Sequence, residues 1–369
     1  MNAPHAIVRL APALLLVVSA GCAASAPTST EEDRVPATSS EEIGSGRFNR
    51  RGDVLIADQF NNRVIELDAK GHIVWSFGDG SSVAGPKSVV APNDAERVGS
   101  FTLIAGTGAP AGAEPTCASG CNDNRVILVD RFSRIVWQYG QAGVTGAGAD
   151  QLSSPVCSVY LPNGHVLITD QGNQRVIEVN GKKDIVWQYG QTGTSGADAG
   201  QLNSPNSAEL LDDGNVLIAD ESNNRVIEVR VADKAIVWSY GSPTDTTSLN
   251  GAAFASRLDD GNTLITSAND NRIVEVDPAG KVVWTYVTTA RPGSVAAPNP
   301  TRALRLRNGD TLISDQNNHQ VIEVDHDGKI VRSFGQVGVA GNTAGLLNGP
   351  YDAKVIGDYT GITSPFRAY

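Results

Sequence analysis

The sequence predicts an all-β fold, a six-bladed β-propeller with four-stranded blades, closed by a C-terminal strand in blade one. Three observations carry this expectation. First, the stretch GNVLIADESNNRVIEVRVADKAIVWSYG from Gly214 recurs along the chain. Its copies are DVLIADQFNNRVIELDAKGHIVWSFG from Asp53, HVLITDQGNQRVIEVNGKKDIVWQYG from His165, NTLITSANDNRIVEVDPAGKVVWTY from Asn262 and DTLISDQNNHQVIEVDHDGKIVRSFG from Asp310. A sixth copy is split by an insertion, with FTLIAGTG at Phe101 and NRVILVDRFSRIVWQYG from Asn124. Second, all five tryptophans (Trp75, Trp137, Trp187, Trp238, Trp284) occupy one repeat position, where the last copy has Arg332. Third, each copy reads as strands. In the Gly214 copy these are Val216–Ala219, Arg225–Val229 and Ala235–Tyr240, with Asn206–Leu211 ahead of an Asp213-Gly214 turn. Such a turn needs positive φ, which Gly supplies.

Taken in order, residues 1–22 are a signal sequence. Arg9 supplies the positive start, Leu10–Val18 is an apolar run too short to span a bilayer, and Ser19-Ala20-Gly21-Cys22 follows. The end resembles a bacterial lipoprotein signal, which implies lipidation of Cys22, although Ser19 stands where that family usually has Leu. Residues 23–46 are rich in Ala, Ser, Thr, Glu and Pro without hydrophobic period and are expected to form a flexible tether. Residues 47–369 are the propeller domain, a single unit because stacked blades bury one another's faces. Blade one begins near Asp53 without an inner strand of its own. The tail Pro350-Tyr351-Asp352-Ala353-Lys354-Val355-Ile356 has the pattern to supply it.

The net charge of −11 argues against nucleic acid, which needs a basic stripe. The Gly-rich segments between blades, such as GQTGTSGADAGQLNSP, lack the helix context of a dinucleotide site and the Lys of a P-loop. Cys117 and Cys121 bracket CASGC in the blade-two insertion and are expected to form a disulfide in an exported chain. Cys157 is left as a buried, inert thiol.

The turn Asp-x-x-Asn-x-Arg followed by Val-Ile-Glu, at Asp58-Asn61-Arg63, Asp170-Asn173-Arg175 and Asp220-Asn223-Arg225, resembles the NHL repeat. Blade five departs with Ser267, blade six with Gln320 and blade two with Gly106. The recurring Ile-Val-Trp is similar, more weakly, to repeats of quinoprotein-type and arylsulfotransferase-type propellers. A constellation repeated in every blade is scaffolding, since a site is needed once. The same holds for Glu66, Glu178, Glu228, Glu275 and Glu323.

Function is therefore sought where the blades differ, at the starts of the inner strands. Alignment on the preceding residue, Pro in five of six, gives Ser88, Cys157, Ser207, Phe254, Arg302 and Asp352 around the ring. The position before reads Lys87, Val156, Asn206, Ala253, Thr301 and Tyr351. Lys87, Asn206, Phe254, Arg302, Tyr351 and Asp352 are the candidate ligand-binding rim. Arg302 could anchor a small anionic or peptide-like ligand, or pair with Asp352 to lock the last blade to the first. The leading reading is a non-catalytic, monomeric scaffold without cofactor. It would be exported, either as a cell-envelope lipoprotein attached to the membrane only through its lipid or, after ordinary cleavage at Val18-Ser19-Ala20, as a periplasmic or extracellular protein, and would bind a small molecule or a protein or peptide partner at the channel mouth. The alternative is a calcium-dependent, lactonase-like hydrolase using Asn206, Glu209 and Asp352. Arg302 and Lys354 would oppose that cation. An amidating-lyase-like enzyme needs clustered histidines, and His72, His165, His319 and His326 fall at hairpins and strand edges.

Overall fold

β-Branched runs punctuated by Gly and Asx turns dictate short strands. The computed structural model describes residues 33–36 and 48–358. The signal sequence with Cys22, and most of the expected tether, lie outside the described residues. The strands form six antiparallel four-stranded sheets. Blade four shows the plan: Pro205–Leu210 innermost, then Val216–Asp220, Arg225–Val229 and Ile236–Gly241 outermost. In blade one the innermost strand is Pro350–Val355. It pairs with Val54–Asp58 in the register Val54↔Val355 and Ile56↔Ala353, so the first and last described strands share one sheet.

The core lies between blades rather than within them. Ile56 and Ile65 of blade one pack with Leu312, Val321 and Phe334 of blade six. Leu217 and Val226 of blade four pack with Ile265 and Val274 of blade five. Each blade alone would leave such a face in water, which is why the ring must close.

The repeated polar turn is scaffolding. In blade four Asp220 Oδ2 accepts from Asn223 Nδ2 (2.7 Å) and Arg225 Nε (2.8 Å), while Oδ1 accepts from the Asn203 N–H (2.7 Å). The Arg225 fork then donates to the carbonyls of Ala197 and Gln201 in the loop that enters the blade. One carboxylate thus ties a turn, a strand and an inter-blade loop together. The blades that depart from the pattern compensate. Gly106 in blade two leaves room for Asp123, whose carboxylate would lie 2.6 Å from a Cβ at 106. Asp123 pairs with Arg125 at 2.5 Å and accepts from the Val90 N–H. In blade six Arg291 reaches Asp315 from a loop, replacing the arginine lost at Gln320.

In blades one, four and five the repeated glutamate and tryptophan join the blade to the next one. Arg257, at the end of the blade-five inner strand, pairs with Glu228 at 3.0 Å and lies 5.2 Å from the Trp238 ring, both in blade four. Arg305 does the same with Glu275 and Trp284. Arg332, the residue at the tryptophan position of blade six, pairs with Glu323 of its own blade.

Cys117 and Cys121 are disulfide-bonded and Cys157 is buried with a free thiol. Four residues of the expected tether are docked. Val35 is buried against the blade-two and blade-three core, its N–H donates to Gly164 O, and Tyr160 Oη donates to Val35 O. Gly181 makes the slot: a Cβ there would come within 2.2 Å of Arg34 O. A single apolar residue in a polar stretch found a groove, which composition alone does not reveal.

Candidate functional site

In a propeller the inner strands surround the axis, and alternate residues on each face the channel. Among those residues, Asp94, Glu96, Cys157, Val159, Phe254 and Lys354 line a cavity of about 10 Å³. That is room for one water at most.

Arg302 is 1 % exposed. Its Nη1 donates to Asn206 Oδ1 (3.0 Å), Ala253 O (3.1 Å) and Thr301 O (3.0 Å), and its Nη2 to Val156 O and Asn206 O (both 3.2 Å). The guanidinium lies 5.2 Å from the centre of the Phe254 ring and 4.9 Å from that of Tyr351. One side chain therefore stitches blades three, four, five and six across the axis, flanked by the two aromatic rings of the expected rim.

Asp352 is paired with Lys354 rather than with Arg302. Lys354 Nζ donates to Asp352 Oδ2 (2.5 Å), Asp94 Oδ1 (2.8 Å) and Ala95 O (3.0 Å). Burial opposes the ammonium charge, but Asp352 and Asp94 outweigh it and raise the Lys354 pKa. The carboxylates also lace the ring, since Asp352 Oδ2 accepts from the Ala95 N–H (3.1 Å) and Asp94 Oδ2 from the Ser158 N–H (3.0 Å). Lock and ring closure coincide, with lysine as the key in place of the expected arginine.

Lys87 does not reach the rim. It sits exposed in the loop before blade two, whose inner strand is Pro92–Val98. The equivalent residues are Asn93 and Asp94, and alignment on Pro86 rather than Pro92 displaced them. The signal was present: Pro92-Asn-Asp-Ala-Glu matches Pro205-Asn-Ser-Ala-Glu and Pro350-Tyr-Asp-Ala-Lys. Asp94 and Glu96 were missed for this reason.

Burial pushes the Glu96 carboxyl up to about 8, against the Tyr160 N–H that it accepts at 2.9 Å and the charge of Lys354. Asp94 and Asp352 balance Lys354 and Arg302, so a further anion is unwelcome. The folded protein holds the Glu96 proton that the unfolded chain releases near pH 4.5. Its contribution is present below that pH and lost as pH rises through about 8. We predict that Glu96→Gln removes a pH-dependent loss of a few kcal/mol in that window. Urea midpoints for both proteins from pH 5 to 9 check this. Parallel pH profiles would contradict it.

Asn206 is buried; its Nδ2 donates to Glu221 Oε2 (2.7 Å) and Tyr351 Oη (2.9 Å). Tyr351 and Glu221 are half-buried and, with Gln171, form the accessible edge of the mouth. Beside them Gln316 donates to Gln59, and Gln59 to Asn93, across the top of blades six, one and two. The calcium alternative does not suit this arrangement. Asn206 Oδ1 and Asp352 Oδ2 are bound to Arg302 and Lys354, and Glu209 Oε2 accepts the Arg257 N–H at 3.2 Å. A dication would adjoin two buried cations. Burial also pushes the Cys157 thiol up to about 12, far from a usable nucleophile.

The chain is similar in fold to a protein of unknown function from Bacteroides caccae, with TM-score 0.52 and 16% identity over 77% of this chain and 93% of that one. It also aligns with streptogramin B lyase, with TM-score 0.47 and 15% identity over 71% and 72% of the two chains. Virginiamycin B lyase from Staphylococcus aureus aligns with TM-score 0.43 and 14% identity over 66% and 69%. No curated protein matches the sequence. A family profile does match, over residues 28–240, which is more than half of the 369-residue chain. By that match the chain belongs to the PQQ_2 family, that of the outer membrane protein assembly factor BamB.

Proposed function

We propose that this protein is a non-catalytic, NHL-type propeller scaffold of the cell envelope. It is exported, anchored through lipid on Cys22, and docks a protein or peptide partner on the mouth edge formed by Tyr351, Glu221 and Gln171. The observation that carries this reading is the filled channel. Both Nη atoms of Arg302, Asp352 Oδ2 and the Asn206 side chain are bonded within the protein, and the cavity among the inner strands is about 10 Å³. A partner that rests on the mouth suits this better than a small molecule that must enter it. The family description, an assembly factor for outer membrane proteins, supports a protein partner and an envelope location. No helix among the described residues is long and apolar enough to cross a membrane, so the lipid would provide the attachment.

The test is a photo-crosslinking residue at exposed Ser222, beside Glu221 at the mouth, with a second at Asp213 in the hairpin at the opposite end of the same blade. A discrete protein adduct from position 222 alone is expected in cells producing the folded protein. Adducts from 213 and none from 222 would overturn the assignment to the mouth.

A further inference from the structure

The blade-two insertion builds a second feature, on the face that carries the mouth but further from the axis. The insertion breaks the repeat between Phe101–Ala109 and Cys121–Val129, and the Cys117–Cys121 disulfide fixes its shape. Between it and the first turn of blade one lies a cleft of about 470 Å³, walled by Phe60 and Val83 and floored by Glu114.

Glu114 is 7 % exposed. Its Oε2 accepts from Asn62 Nδ2 (2.9 Å) and Ser82 Oγ (3.1 Å). Its Oε1 is buried without a hydrogen-bond partner. No cationic side chain pairs with Glu114 among the described residues, in contrast to Glu66, Glu228, Glu275 and Glu323, each joined to an arginine. A buried carboxylate without a counter-charge is costly unless something supplies one. The Ser82 and Thr116 hydroxyls, 2.5 Å apart, stand over it and can rotate to accept. Val83, 74 % exposed, and Phe60 give the approach two apolar walls.

We propose that this cleft binds a primary alkylammonium on an aliphatic stem, the chemistry of a lysine side chain. The ammonium would sit at the Glu114 carboxylate and the Ser82 and Thr116 hydroxyls, and the stem would lie along Phe60 and Val83. Three donors on a compact cation match three oxygen acceptors, and a stem of four carbons suits the apolar walls. The site is separate from the mouth, so either assignment stands or falls without the other.

The test is calorimetric or NMR titration of the purified, disulfide-intact protein with Nα-acetyl-lysine methylamide, its uncharged norleucine analogue and n-butylammonium. Saturable binding of the lysine amide and none of the norleucine analogue is expected. Glu114→Gln, which keeps an acceptor for Asn62 and Ser82, should weaken binding about tenfold or more. Thr116→Val, on the cleft wall, should weaken it less and guards against a misfolded Glu114 variant. Binding of n-butylammonium as tight as the lysine amide would support the site and assign it to free amines. No saturable binding of either amine to the wild type, or equal affinity for folded Glu114→Gln, would overturn the proposal.

Discussion

Deleting residues 350–369 should abolish cooperative unfolding. The removed strand pairs along its length with Val54–Asp58, and Ala353 and Val355 belong to the core between blades six and one. Without it, blade one exposes a sheet edge at the axis and blade six loses Ala353 and Val355 from the face it packs against. Asp352 and Lys354 leave with it, so Asp94 and the Ala95 N–H lose their partners across the seam. Each blade contacts only its neighbours, so an open ring has no means of coupling its ends. Calorimetry should show a broad, low-enthalpy transition or none. A truncated protein that melts as the full chain does would refute closure by this strand.

Lys354→Met should destabilise the protein by about 3–5 kcal/mol, the cost of breaking a buried ion pair from one side. The methionine fills the volume but leaves the buried carboxylates of Asp94 and Asp352 without the cation they share. The effect should depend on pH, since the stranded carboxylates can relieve the cost by taking protons, and the variant should therefore recover stability in acid. Adding Asp94→Asn and Asp352→Asn should restore much of the loss, because a fully neutral network of similar shape avoids the uncompensated charge. Equilibrium urea unfolding of the single and triple variants measures this. Additive losses in the triple variant would show that the lysine acts by packing alone.

Most of the architecture was legible because a repeat states the same physical requirement many times. Asp220, Asn223 and Arg225 form the network that their spacing implies, and equivalents recur in blades one and three. The missing inner strand of blade one could be found at the C-terminus because its absence was as regular as the pattern around it. What could not be read was pairing across the axis. Residues far apart in sequence meet there, and strand periodicity says that Arg302, Asp352 and Lys354 face inward without saying which meet. The sequence offers Arg302 as a ligand anchor or as the partner of Asp352, and neither reading finds its acceptors, because these are mostly backbone carbonyls, Ala253, Thr301, Val156 and Asn206, which carry no signature in a side-chain pattern. The misplaced Lys87 followed from two prolines competing for one register. The Glu114 cleft lay in the only large insertion, where a repeat offers no template.

We propose that the channel is a structural core and that recognition belongs to the surface around it. Arg302→Met tests it most directly, by thermal unfolding together with crosslinking from position 222. The variant leaves at least four buried carbonyls without their donor, and its stability should fall by a few kcal/mol. Below its lowered melting temperature it should still form the position-222 adduct. Unchanged melting together with loss of the adduct would show instead that Arg302 serves a ligand, and would contradict the account.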